Sequence, residues 1–502
     1  MKASYHISLI SLLFLSSCGF WNPDNTEPYR PKYHFTPELG WMNDPNGLVY
    51  FDREFHLFYQ YYPDSLTWGP MHWGHAVSED LINWKRLPIA LYPDELGYIF
   101  SGSAVIDYKN TSGFGSAENP AMVAIFTHHD PEGEQAGRDD FQYQSLAYSL
   151  DKGRTWTKYE ANPVLKNPGI RDFRDPKVFW YENDQSWRMM LAVKDRVYIY
   201  RSSDLKSWNL ISQFGAELGA HGGVWECPDL FPLNDDRGEV TKWVMLVSIN
   251  PGGPQGGSAT QYFIGDFDGT TFVPQDEKIR WVDYGADNYA GVTFNDLHPL
   301  DERRIFIGWM SNWQYAQEVP SKRFRSAMTL PRELKLRKVE DSYWLISKPV
   351  NEVSLTHLKM TGMPYSKLDS AEVYVRFTDF TKELEVVFKN DSTNEQVKIA
   401  ISRDSISIDR RNAGIDDFHG AFAAIHSAPL MDTTNNLLEV FLDRSSIEVF
   451  LDGGEVVLTD LIFPRKPYNK YIIEKGKVEG KLMAPAVETI QEERKSRPYY
   501  VE

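Results

Sequence analysis

Three acidic residues in this chain share one local plan. Asp44 stands in Trp41-Met42-Asn43-Asp44-Pro45-Asn46-Gly47, ahead of the apolar run Leu48-Val49-Tyr50-Phe51. Asp175 stands in Arg174-Asp175-Pro176, ahead of Val178-Phe179-Trp180, and Glu226 in Glu226-Cys227-Pro228-Asp229, ahead of Leu230-Phe231. Each time an acid precedes a proline and a short β-prone run follows. Proline fits the first residue of a strand, where no ladder donor is needed, so the acids are expected at the mouths of three strands. If those strands converge, the carboxylates converge. Two carboxylates across a scissile bond hydrolyse a glycoside: one, ionised, attacks or activates water, and the other, protonated, acts as the acid. The amides of Asn43 and Asn46 suit an ionised Asp44. Glu226 lies beside Val224, Trp225 and Cys227, and apolar surroundings raise a carboxyl pKa, which suits the acid. Arg174 suits an Asp175 that stays charged, binds hydroxyls and stabilises positive charge. A single Asp-Pro is ordinarily a turn device; three in matched positions carry the reading. No histidine-rich spacing accompanies them, so no metal and no cofactor is expected.

The elements that must position these acids are strands. Helical periodicity is nearly absent, and Phe55 to Tyr61, Met122 to Phe126, Trp187 to Val193, Trp243 to Ser248 and Ile305 to Trp309 have strand length and pattern. A weak repeat accompanies them. Ser78-Glu79-Asp80-Leu81-Ile82-Asn83-Trp84 recurs as Ser203-Asp204-Leu205-Lys206-Ser207-Trp208, as Ser149 to Trp156, and more loosely as Asp266 to Phe272. The copies lie about 50 to 70 residues apart, the period of a β-propeller blade with generous loops. Strand groups count to five blades over residues 32–338. The innermost strand of each blade lines a central channel, which places Asp44, Asp175 and Glu226 at one end of it. From about Leu345 the strands shorten and alternate, with Asp452-Gly453-Gly454 as a hairpin turn. Residues 345–502 therefore read as a β-sandwich, with its carboxylates on a solvated sheet face. The fold class is all-β.

The chain has 502 residues, enough for two cores, and its aromatic content of 14% suits both an all-β protein and the apolar faces of sugars. With 70 acidic against 53 basic residues and no basic stripe, nucleic acid is a poor partner. Residues 1–18 read as an export signal: Lys2, then the apolar run Ile7 to Leu15, too short to span a bilayer. The ending Leu15-Ser16-Ser17-Cys18-Gly19 resembles a bacterial lipoprotein signal, in which Cys18 takes the lipid. Residues 19–31, polar and rich in proline, read as a tether. The expected location is the bacterial cell envelope, with the membrane reached through a lipid anchor. The other cysteine, Cys227, then has no disulfide partner. Gly252 to Gly257 reads as a flexible loop bordering the site.

Two other functions compete. Ser149 to Trp156 fits the Asp-box of sialidase propellers, although one copy without a tyrosine nucleophile and arginine cluster is better read as a shared blade turn. A sugar-binding propeller without catalysis is the other, against which stand both Asp44 and Glu226.

The motifs together closely resemble those of glycoside hydrolase family 32, the invertases, inulinases and levanases. The likeness rests on Trp41 to Gly47, Phe100-Ser101-Gly102-Ser103, Arg174-Asp175-Pro176 and Glu226-Cys227-Pro228. It continues through Tyr289-Ala290-Gly291, Gly308 to Trp313, Leu330 to Leu334, and Ser445 to Phe450. The resemblance implies a five-bladed propeller with a C-terminal β-sandwich, and a retaining enzyme acting on fructans or sucrose, with exo action expected and an endo levanase or an invertase as alternatives. It implies Asp44 as nucleophile, Glu226 as acid/base and Asp175 as transition-state stabiliser, with Arg174 supporting Asp175. It also implies that Asn43, Gln60, Trp68, Phe100 and Ser101 line the pocket for a terminal fructose, with Trp309 as a further wall.

Overall fold

A computed structural model describes residues 27–485 apart from 299, 355–358, 361–364, 369–370, 382 and 431–435. The signal segment with Cys18, most of the tether and the last seventeen residues lie outside the described residues.

Five antiparallel sheets follow one another along the first part of the chain. Their first strands are Gly40–Phe51, Tyr98–Asp107, Phe173–Tyr181, Val224–Asn234 and Tyr289–Thr293. Each of these lies against the next, and the fifth lies against the first, so the five close a ring around a channel. The segment after the fifth pairs with the first through Asn295, whose N–H donates to the Leu48 carbonyl while its own carbonyl accepts from the Tyr50 N–H. The second strands, such as Ala121–His129 and Ser186–Val193, are buried along their whole length. Each is covered by neighbouring blades on both faces, which is why they read as continuous apolar runs. The outer strands Lys85–Leu91 and Asn209–Phe214 are edges, far more exposed than the second strands.

The repeat seen in the sequence is the turn between third and fourth strands. In three copies a serine hydroxyl meets an aspartate: Ser78 with Asp80, Ser149 with Asp151, Ser202 with Asp204. The aspartate then accepts backbone N–H groups of the turn, and the closing indole of Trp84, Trp156 or Trp208 donates back to a carbonyl at Leu81, Gly153 or Leu205. The Asp-box at Ser149 to Trp156 is thus one instance of a turn that two other blades also use.

The last blade runs further than expected. Arg332–Val339 and Ser342–Pro349 form its outer hairpin, with Arg332 opposite Pro349, so the propeller ends near residue 350 and not at 338. At the other end, residues 27–31 are not tether. Tyr29 is buried edge-on to Phe463, 5.2 Å away, and the Arg30 guanidinium lies 4.1 Å from the Phe324 ring centre.

The second domain is a sandwich of two six-stranded sheets. Asp452-Gly453-Gly454 joins Ser446–Leu451 to Val456–Leu461, as the turn residues predict. Strands such as Ser405–Asn412 alternate, sending Ile406 and Ile408 into the core between more exposed residues. The solvated face expected for the sandwich carboxylates is corrected at Ser446–Leu451, which is buried on both faces. Ile447, Val449 and Leu451 enter the sandwich core, while Phe450 joins the propeller cluster containing Trp41 and Trp309. Fully buried Glu448 accepts from Leu330 N at 2.8 Å and from Arg332 Nη2 at 2.5 Å, and its Oε1 lies 2.8 Å from His34 Nε2. The carboxylate sits at the domain interface and ties three propeller residues to the sandwich.

Candidate active site

All five inner strands are irregular at the same level. In each ladder two residues oppose one: Asn43 and Asp44 against Gln60, Phe100 and Ser101 against Thr127, Asp175 and Pro176 against Leu191. Cys227 and Pro228 oppose Val247, and Ala290 and Gly291 oppose Gly308. A β-bulge breaks the pleat and re-aims side chains. It also leaves a place for proline, which has no ladder donor to give. The acid-proline pairs therefore mark bulges inside strands, not strand starts. In three of the five the first bulged residue, Asp175, Cys227 or Ala290, has φ of 65°, 46° or 53°, in the left-handed region.

The bulges surround one cavity of about 470 Å³, lined by Asp44, Asp175 and Glu226 together with Asn43, Gln60, Trp68, Phe100, Ser101 and Arg174. Asp44 is held on both oxygens. Asn43 Nδ2 donates to Oδ1 at 2.9 Å and Ser101 Oγ to Oδ2 at 2.7 Å. Trp41, fully buried, donates its indole N–H to Asn43 Oδ1 at 2.7 Å and so fixes which way that amide faces. Asn46, expected beside the carboxylate, reaches only the Asp44 backbone carbonyl, because it lies past the bulge.

Glu226 is gripped from two sides. Arg174 donates to Oε1 from Nε at 3.0 Å and Nη2 at 2.9 Å, and the Tyr289 hydroxyl donates to Oε2. The partners of the Glu226 carboxyl are thus polar, and not the apolar neighbours that made it look like an acid. Trp225, one residue away on the strand, points to the opposite face and stacks on His221. Arg174 likewise binds Glu226, Asp172 at 2.7 Å and Gln142 at 3.2 Å, and not the adjacent Asp175 to which the sequence assigned it.

Asp175 accepts the Cys227 N–H at 3.1 Å. Burial pushes its carboxyl up to about 7, against the pull of Arg174, and the charges of Glu226 and Asp44 add to the rise. The pull of Arg174 expected from the sequence is present, but burial outweighs it. Asp44 is raised as well, by burial first and then by Glu226, with Asn43 and Ser101 opposing. Cys227 sits between the aspartates, its sulfur 3.6 Å from Asp175 Oδ2 and 3.7 Å from Asp44 Oδ2. Burial and these charges push the thiol well above its usual range, so it is a packing group and not a nucleophile.

The walls are aromatic. Phe100 stacks on His129 at 4.3 Å, and Trp68, 37% exposed, stands edge-on to Phe100 at the rim. Gln60 is buried, lines the cavity, and its Nε2 has no hydrogen-bond partner among the described residues. Trp309 is not a wall. It is fully buried behind the cavity, donating its indole N–H to the Met42 carbonyl at 3.1 Å, and Trp313 from the same motif lines the cavity instead. The Gly252 to Gly257 loop does not line it either. It folds back through Gly252 N to Gly257 O at 2.9 Å, and Gln255 Nε2 reaches the Ser427 carbonyl of the sandwich. Sequence reasoning gave no role to Tyr289 or Gln142. Tyr289 was findable, since it precedes the fifth bulge as Glu226 precedes the fourth; nothing in the sequence singles out Gln142.

The family model for the N-terminal domain of glycosyl hydrolases family 32 matches residues 34–349, and that for the family 32 C terminal matches residues 335–482. The chain belongs to glycosyl hydrolase family 32. Its ring of bulges and interface strand fall within the two matched regions. This family 32 chain is 49% identical over 460 residues to a levanase of Bacillus subtilis, covering 87% of the chain and 67% of the levanase. It is 40% identical over 486 residues to an extracellular exo-inulinase of Aspergillus niger, covering 87% and 90%. Its structure resembles the crystal structure of exo-inulinase from Aspergillus awamori with a TM-score of 0.81 at 37% identity, covering 91% of this chain and 97% of that one. This family 32 protein is a glycosidase acting on fructosides.

Proposed function

We propose that this enzyme releases terminal fructose from β-D-fructofuranosyl linkages of fructans, levan and inulin, and from sucrose, with retention of configuration. The observation that carries the assignment of roles is the pair of differently held carboxylates in one cavity. Asp44 is fixed by neutral donors, Asn43 and Ser101, and keeps a lone pair toward the cavity as nucleophile. Glu226 is fixed by Arg174 and Tyr289 and handles the proton. Asp44 attacks the anomeric C2 while Glu226 protonates the departing oxygen, and a fructosyl ester forms. Glu226, now a base, takes a proton from water as that water attacks C2 and frees Asp44. Sugar hydroxyls donating to Asp175 favour its ionised form, which offsets positive charge on the ring in the transition state. Gln60 Nε2 supplies a further donor to a sugar hydroxyl.

Two measurements test this reading. NMR of the first-formed fructose from a β-linked donor should give the β anomer, and the α anomer before mutarotation would overturn retention. Chromatography of early products from levan should give fructose alone, and early oligosaccharides would overturn exo action.

The lipid anchor belongs to the same proposal. Leu15-Ser16-Ser17-Cys18 supports attachment of the enzyme to the cell envelope, where polymeric fructans arrive. Cys18→Ala should move the protein from the membrane to the soluble fraction; a variant that stays with the membrane overturns the anchor.

A further inference from the structure

The channel has a second mouth. The strand Phe173–Tyr181 carries Asp175 near its start, and Val224–Asn234 carries Glu226 near its start. Both then run away from the catalytic cavity, and six residues of strand cover about 20 Å. Their far ends, with Trp243, Asn183, Asp296 and Arg304, surround a cavity of about 370 Å³. That is within the size range of small-molecule sites, roughly 300–1,000 Å³.

The lining has a definite chemistry. Phe179, Trp180 and Trp243 are half-buried in a mouth that reaches solvent, with Phe179 and Trp243 ring centres 5.8 Å apart. At the inner end Asp229 is fully buried. Its Oδ2 accepts from Thr293 N at 2.7 Å and Oγ1 at 2.8 Å, with Lys177 Nζ at 3.1 Å, while its Oδ1 has no hydrogen-bond partner among the described residues. Asp296 accepts the Ile106 N–H at 2.9 Å, and Arg304 lies over Phe231. The Asp229 and Asp296 carboxylates are matched by Lys177, behind the lining, and by Arg304, so the inner end carries little net charge to draw an ion of either sign. Aromatic faces beside planar carboxyl, amide and guanidinium groups fit a neutral ligand with apolar C–H faces and vicinal hydroxyls. That description is a saccharide.

We propose that the far mouth of the propeller channel is a second, non-catalytic saccharide site that holds a fructosyl segment of the polymeric substrate. The choice of fructan rests on the function proposed above; the site's geometry does not. A chain held there raises the local concentration of chain ends around the enzyme without any new contact at the catalytic carboxylates.

The test is affinity electrophoresis of full-length protein in gels containing levan, inulin or dextran. Asp44→Asn serves as the background, so that the polymer stays intact. Levan or inulin should retard this protein. Adding Asn183→Trp, which fills the mouth from an exposed position, or Trp180→Ala should weaken retardation by about tenfold or more. Thermal melting checks that each variant is folded, and Asn183→Trp alone decides the matter if Trp180→Ala is not. Equal retardation with and without Asn183→Trp overturns the site. Retardation by dextran as strong as by levan overturns its assignment to fructan. The two proposals fail separately: an unsubstituted enzyme that frees no fructose from sucrose refutes the catalytic reading, whatever the gels show.

Discussion

The Tyr289 hydroxyl donates to Glu226 Oε2, while Arg174 occupies Oε1. Tyr289 is fully enclosed, and burial together with the Glu226 charge pushes its phenol well above the usual range, so it remains a donor. It holds the carboxyl against rotation. Tyr289→Phe removes the hydroxyl and keeps the ring that packs on Trp309. Steady-state kinetics on sucrose should show kcat down about tenfold or more with KM changed less, as expected for a group that positions an acid. A variant with raised KM and unchanged kcat would place Tyr289 in substrate binding only.

Asp44→Asn should cost on the order of 10³-fold or more in kcat, because an amide cannot form the fructosyl ester. Glu226→Gln should be nearly as damaging on sucrose and far less so on a fructoside whose leaving group needs no proton. Comparing the two donors for each variant separates the roles. Equal rescue of both variants by the activated donor would mean the roles are wrongly divided.

Asp175 contributes to the pH dependence of stability. Its carboxyl is raised from an ordinary 3.8 to about 7 in the folded protein, so between those values the folded state binds more protons than the unfolded chain. Stability from this group is therefore greatest below the unfolded value and declines as pH rises toward 7. Asp175→Asn abolishes that decline. Its melting temperature should exceed that of the unsubstituted enzyme by about 2–4 °C or more at pH 8, with a smaller gain at pH 5, while activity is lost. A gain that is equal at both pH values would show that the carboxyl is not raised.

The propeller–sandwich interface loses stability in the same direction, over a higher pH range. His34 lies between Asp443 and Glu448, 2.8 Å from each, and these carboxylates outweigh burial to raise its pKa from 6.5 to about 9. A raised histidine stabilises the fold fully below its unfolded pKa, and that contribution fades as pH climbs through the folded one. The loss from His34→Ala, measured by denaturant unfolding, should be largest below about pH 6.5 and shrink above pH 9. Glu448→Ala leaves Arg332 and His34 buried without their shared carboxylate and should cost about 3–5 kcal/mol. A change under about 1 kcal/mol would mean that solvent reaches the interface.

Deleting the sandwich after Lys348 removes Tyr374, Phe441, Phe450 and Val457 from the cluster that holds Trp41 and Trp309. The truncated propeller should be insoluble, since this face is apolar and contiguous. A soluble, fully active truncation would show that Trp41 needs no support from the sandwich.

The sequence by itself determined what is local. The Ser-x-Asp turns, the acid-proline pairs and the Asp452-Gly453-Gly454 hairpin are read from neighbouring residues, because each is built from hydrogen bonds or dihedrals within a few positions. Their spacing along the chain yields the blade count, and the blade count places three acids at one end of a channel. What only the tertiary structure decided is which way a side chain faces and what meets it across the ring. A strand alternates faces at every residue, so a bulge of one residue reassigns all that follows. That is why Arg174 serves Glu226 and not its neighbour Asp175, and why Asn46 misses the carboxylate that Ser101, from the next blade, reaches. Trp309 and Trp313 stand four apart in one motif, yet the strand ends between them, leaving one behind the cavity and the other in its wall. Glu448 reads as a solvated carboxylate until the propeller covers it. The raised carboxyls of Asp44 and Asp175 arise from burial and from charges brought together from different blades, quantities that no stretch of sequence contains.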